Sequence, residues 1–194
     1  MTDDTKAQGK TVIHIMNEKA GNHMAEPGES PAPELAEETI RLVTEWNFNE
    51  TVLDNGMTAY TKPVFGKNGN VTALIFLFPF GDPSFNSIMM EIVAYLPIVI
   101  PENDRLRVAD FVARMAMSTV SFTQMDMESG VVNLKQRIFL KDKLYPREFL
   151  ARIGDQVYSE ADVIIPVLNK MVYAGLSARE AMAEVDANLG YSAG

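Results

Sequence analysis

His14 and His23 are the only two histidines in a chain of 194 residues that has no cysteine. Both lie in a polar N-terminal stretch. A metal pair or an acid–base couple needs an ordered site, and no neighbouring residue pattern supplies one. Without cysteine, disulfides, thiolate metal sites and cysteine nucleophiles are excluded, which fits a reducing compartment. Asp126 and Glu128 stand two apart and would share one face of a strand, a spacing that can hold a hard cation. The favoured reading is a solvated face, cross-paired with Asn133 and Lys135. Ser118, Ser129 and Ser177 lack a nucleophile elbow or a paired base. Gly66-Lys-Asn-Gly69 joins two strands instead of opening a helix, so it is a weak phosphate cradle. Arg105, Arg107 and Arg114 could grip an acidic partner, although alternating charge is usual on an exposed helix face. The expectation is a non-enzymatic protein with no catalytic, cofactor-binding or metal-binding residue and no cofactor.

Charge narrows the partners. The formal net charge is −9, and no Lys/Arg cluster exceeds two or three residues. Nucleic acid and acidic membrane surfaces both call for a basic patch, so neither is expected as a partner. The first residues, Met1-Thr-Asp-Asp-Thr-Lys-Ala, carry no basic segment followed by an apolar core. No apolar run reaches the roughly 18–20 residues that span a bilayer. The expected location is cytoplasmic.

The elements that would position these groups follow from periodicity. Residues 1–30 read as a flexible arm, and 31–194 as a single domain. Within the arm one apolar piece, Val12-Ile-His-Ile-Met16, can add a strand. Pro31 and Pro33, followed by Glu34, Glu37 and Glu38, mark a helix start. Leu35, Thr39, Leu42, Val43 and Trp46 then recur at helical spacing over 33–46. Residues 57–65 read as a first strand, or as a pair of short pieces around Asn55-Gly56. The Gly66–Gly69 turn leads into Val71–Phe80, and a second apolar run, Ile88–Ile100, completes a meander.

Glu102-Asn-Asp104 opens a second helix with Leu106, Ala109, Val112, Met115 and Ala116 on its apolar side. Residues 122–128 and 131–140 form a two-residue hairpin about Ser129-Gly130. Its register sets Met127 against Val132 and Met125 against Leu134 on a dry face, with Asp126 against Asn133 and Gln124 against Lys135 on a wet one. A long helix from Leu144 carries Phe149, Ile153, Val157, Ile164, Leu168 and Val172, with Pro166 expected to kink or break it. Gly175 is placed as its C-cap, and Ser177-Ala-Arg-Glu180 is a capping box for a short closing helix. The abundant methionines read as core filling.

The two apolar runs carry the functional expectation. In Val71–Phe80, Ala73, Ile75 and Leu77 point one way while Leu74, Phe76 and Phe78 point the other. Strands that are apolar on both faces need cover on both faces. The first and third helices can cover one. Leaving Leu74, Phe76 and Phe78 wet would forgo about 1.5–3 kcal/mol each. The second helix, a second subunit or a client segment must therefore cover the other face. Leu74, Phe76, Phe78, Met90 and Ile92 are the candidate interface.

Three stretches resemble a known family. Leu96-Pro97 and Ile98-Val-Ile-Pro101-Glu102 lead into Arg107-Val-Ala-Asp-Phe-Val-Ala; Phe122, Asp126 and Glu128-Ser-Gly-Val131 mark the second hairpin. Pro166, followed by Val172-Tyr-Ala-Gly-Leu-Ser-Ala-Arg-Glu-Ala181, marks the end. Over about residues 33–185 these resemble the YbjN-type family of bacterial sensory transduction regulators. The loop Arg114-Met-Ala-Met-Ser-Thr-Val120 departs from it, lacking the Asn and Gly that members carry there. The resemblance implies an α+β fold of order α-β-β-β-α-β-β-α, with a five-stranded antiparallel sheet and flanking helices, like type III secretion chaperones. It also implies a chaperone-like or regulatory protein-interaction module. With the two-faced strands, that points to a homodimer holding an unidentified protein client. The alternative is a small-molecule-sensing regulator with a ligand site in the sheet groove.

Overall fold

In the computed structural model, which describes residues 33–81 and 86–190, the chain begins with α1 (Pro33–Glu45). Leu35, Leu42 and Val43 are buried, and the Thr39 hydroxyl donates to the Leu35 carbonyl at 2.7 Å, so this polar member of the stripe can also be buried. Asn47 ends the helix with a left-handed φ of 61°, a conformation asparagine tolerates.

Six strands follow in one antiparallel sheet: β1 (Asn49–Val52), β2 (Thr58–Phe65), β3 (Asn70–Pro79), β4 (Ser87–Val99), β5 (Phe122–Met125) and β6 (Val131–Lys141). Their spatial order is β1-β2-β3-β4-β6-β5. The expected five-stranded sheet is corrected by β1, which pairs with β2 from Asn49↔Thr61 to Val52↔Thr58. Glu50 and Thr51 leave β1 no apolar alternation, and all four of its residues are exposed, so burial left no signature to read.

Helices α2 (Arg105–Met115), α3 (Arg147–Ala174) and α4 (Ala178–Leu189) join α1 on the same side of the sheet. Their packing corrects two stripes. In α2 the buried residues are Val108, Phe111 and Met115, and Leu106 is 80% exposed. Both sets have helical spacing, and the bulky Phe111 decides which face turns inward. In α3, Phe149 is half-exposed and Leu150 takes its place in the core.

Pro166 does not break α3, which runs unbroken from Arg147 to Ala174. Proline has no N–H for the carbonyl four residues earlier, that of Asp162. Asn68, from the β2–β3 turn, supplies the missing donor: its Nδ2 reaches the Asp162 carbonyl at 3.0 Å. The Asn68 backbone N–H donates to Asp162 Oδ1 at 2.7 Å. A Cβ on Gly66 would collide with that carboxylate, so glycine there permits the close approach. The helix end was legible: Gly175 caps α3 at φ 73°, and Ser177 and Glu180 form the capping box of α4.

The second hairpin is joined by a longer turn than two residues. Met125 pairs with Val132 and Gln124 with Asn133, two places from the expected register. A shift of two keeps every side chain on its expected face. Asp126 causes it, leaving the strand to accept hydrogen bonds from the Glu128 N–H at 2.8 Å and from the Ser129 hydroxyl at 2.9 Å.

Candidate functional site

All four α-helices contribute to one core on one face of the sheet, leaving the opposite, outer face without helical cover among the described residues. Cross-strand register lays out that outer face in rows. Leu74, Val93, Lys135 and Phe122 form one, Phe76, Glu91 and Arg137 the next, and Phe78, Met89 and Phe139 the last.

The candidate interface divides on this map. Met90 and Ile92 are fully buried in the core beneath the helices, because β4 alternates and its outer residues are Met89, Glu91 and Val93. Leu74 and Phe76 do point outward, but the chain buries them itself, at 0% and 6% exposure. They form a small second core with Ala59 and Val93, against which Leu53, Met57, Phe78 and Tyr95 pack. The β1–β2 connection provides Leu53 and Met57, closed by the Leu53 N–H donating to the Met57 carbonyl at 2.8 Å. Helix α2, one of the expected covers, lies on the opposite face. Of the five residues, Phe78 alone is both outward and part-exposed.

A charged cluster lies among these aromatics. Glu91 is buried, receiving Arg137 Nε on Oε2 at 2.5 Å, with Lys135 Nζ 3.8 Å from Oε1. A carboxylate withdrawn from water needs such partners. Beside it the rings make an aromatic corner: Phe76 stacks on Phe78 with centroids 5.9 Å apart, and Phe80 meets Phe139 at 4.6 Å. Phe80 and Phe139 are each about half-exposed, and Phe122, on β5 opposite Lys135, is exposed as well.

The sequence-level reading missed Phe139 and Phe122, having treated this hairpin's outer face as wet. The alternation Lys135, Arg137, Phe139 already put an aromatic on that face, and the polar residues before it masked the signal.

An open groove of about 580 Å³ adjoins the corner, lined by Gln136, Arg137, Ile138, Phe139, Tyr145, Pro146, Phe149 and Ile153. A smaller one of about 300 Å³ lies where Phe65, Gly66 and Gly69 face Asp155, Tyr158 and Asp162. Burial, with Asp155 nearby, pushes the Tyr158 hydroxyl well above its ordinary pKa and keeps it neutral.

The other groups singled out for chemistry do structural work. Asp126 and Ser129 build the hairpin turn, and Ser177 caps α4. Arg105 donates to the Met127 and Glu128 carbonyls, Arg107 to Asp104 and the Met171 carbonyl, and Arg114 to Asp110. Gly66–Gly69 docks on α3. His14 and His23 lie outside the described residues. Among the described residues, no group of three or more His, Asp or Glu could hold a metal ion, and no helix is long and apolar enough to cross a membrane. No protein-family model matches the chain, and no curated protein is detectably similar to it.

Proposed function

We propose that the protein is a non-enzymatic interaction module of the YbjN type, a homodimer that holds a protein client on the helix-free face of its sheet. The observation that carries this reading is the aromatic corner of Phe78, Phe80, Met89 and Phe139. It is an apolar surface that no described element covers, set around a fixed ion cluster. Apolar anchors beside oriented charges are the usual make-up of a protein-recognition surface, since rings supply buried area and charges supply register. The interface accordingly centres on Phe78 and Phe139. Leu74, Phe76, Met90 and Ile92 are its support. A small-molecule sensor would favour a closed polar pocket, and both grooves here are open.

Light scattering across micromolar concentrations tests this. The parent chain is expected to run as a dimer, and Phe139→Lys or Phe78→Lys as a monomer with an unchanged circular dichroism spectrum. A parent that remains monomeric would refute the homodimer.

A further inference from the structure

β6 runs past its outer partner. β5 pairs with it only as far as Phe122↔Lys135, so from Gln136 to Leu140 no described strand occupies that side. Alternate backbone N–H and C=O groups of this stretch face the edge, and β6 holds no proline, the residue that most simply blocks strand addition. The open groove of about 580 Å³ follows the same edge. Gln136 and Ile138 lie on its helix side, walled by Tyr145, Phe149 and Ile153, and Arg137 and Phe139 lie on its outer side.

The groove has a single charged lining residue, the Arg137 guanidinium, in a chain whose formal net charge is −9. β6 carries Lys135, Arg137 and Lys141 on its outer face and holds no acid. Arg137 is half-exposed and donates to Glu91 through Nε alone, so its two terminal nitrogens have no partner among the described residues. A guanidinium oriented in this way is a ready fork for a second carboxylate.

We infer, on the basis of the client-holding role just proposed, that this groove takes an acidic segment of the client in extended form, with a carboxylate on Arg137 and the neighbouring apolar side chains in the trough. Cross-strand neighbours share a face, so a residue set opposite Arg137 points to the outer side. The residues before and after it, opposite Gln136 and Ile138, turn toward Tyr145, Phe149 and Ile153. Other occupants fit less well. A second copy's β6 would bring Lys135, Arg137 and Lys141 to the same cationic edge, and like charges facing across a strand pair are destabilising. Val12–Met16, outside the described residues, holds no acid to meet Arg137.

Fluorescence anisotropy on the full chain tests this with a labelled peptide of alternating valine and glutamate. A peptide alternating valine and lysine, and one with the same valines and glutamates in separate blocks, should each bind the parent at least about tenfold more weakly. Arg137→Gln should weaken binding of the alternating glutamate peptide by about tenfold. That change also uncovers Glu91, so Phe149→Ala, which leaves the ion cluster intact, supplies a second reading. It should weaken binding by about fivefold with an unchanged circular dichroism spectrum. In hydrogen exchange the bound peptide should protect amides of 136–140. No binding at millimolar peptide, equal affinity for the alternating glutamate peptide and either control, unmoved affinity in Phe149→Ala, or protection confined elsewhere would each overturn the inference. A dimeric parent that ignores the glutamate peptide removes the acidic client and leaves the homodimer standing; a monomeric parent that binds it does the reverse.

Discussion

Glu160 is a buried acid whose carboxylate joins two separate parts of the fold. It is fully buried on α3, and its two oxygens accept the backbone N–H groups of Val120 and Ser121, each at 3.0 Å, and Gln156 Nε2 at 2.9 Å. These bonds tie the α2–β5 connection to the long helix. Glu160→Gln keeps the shape but turns an N–H toward a backbone N–H, leaving a buried donor unsatisfied. The expected cost is about 1–3 kcal/mol, read from urea unfolding, with Glu160→Ala at least as harmful.

Asp126 makes a pH-dependent contribution. Hydrogen bonding from the Glu128 N–H, then from Ser129, with Arg105 nearby, holds its carboxyl below the ordinary value of 3.8. A depressed folded pKa stabilises the fold fully above the unfolded value near 4, and that contribution disappears as pH falls through the lower folded value. Asp126→Asn should therefore lower stability by a constant amount above pH 5, with the gap to the parent closing below pH 4 in acid-unfolding curves.

At the scale of elements, Asn68 and Pro166 make a matched pair seated on different units. The turn side chain supplies the hydrogen bond that the proline withholds from Asp162. Asn68→Ala removes that donor, although the backbone N–H contact to Asp162 remains. A loss of about 1 kcal/mol is expected, lowering Tm by roughly 2–4 °C in scanning calorimetry. In Pro166→Ala the helix provides its own N–H. Adding Asn68→Ala to that background should then cost measurably less than in the parent, and equal costs would separate the two residues.

For the molecule as a whole, the decisive contrast lies between two residues of the outer face. Leu74 is buried by the chain's own β1–β2 connection, so Leu74→Lys should cost roughly 3–5 kcal/mol and threaten folding. Phe139 is half-exposed, and Phe139→Lys should leave urea stability within about 1 kcal/mol while altering assembly. Global unfolding by both would make the whole face ordinary core and remove the candidate surface.

Several features were legible from local sequence because their causes are local. A glycine in the left-handed conformation followed at once by a Ser-x-x-Glu capping box is a local stop-and-start signal, which is why the α3–α4 junction at Gly175, Ser177 and Glu180 is legible from the chain alone. Strand alternation set the two faces of β3; on β6 the same alternation carries Phe139 outward, but the polar residues before it mask that signal. Tertiary structure decided what covers each face, since that depends on which segments meet. Two apolar stripes competed in α2, and packing chose the one with Phe111. Leu53 and Met57, unremarkable in sequence, became the lid over Leu74 and Phe76. Sequence determined that β3 is apolar on both sides. Only the fold decided that one side closes under helices, while the other is closed by a turn and left open at an aromatic corner.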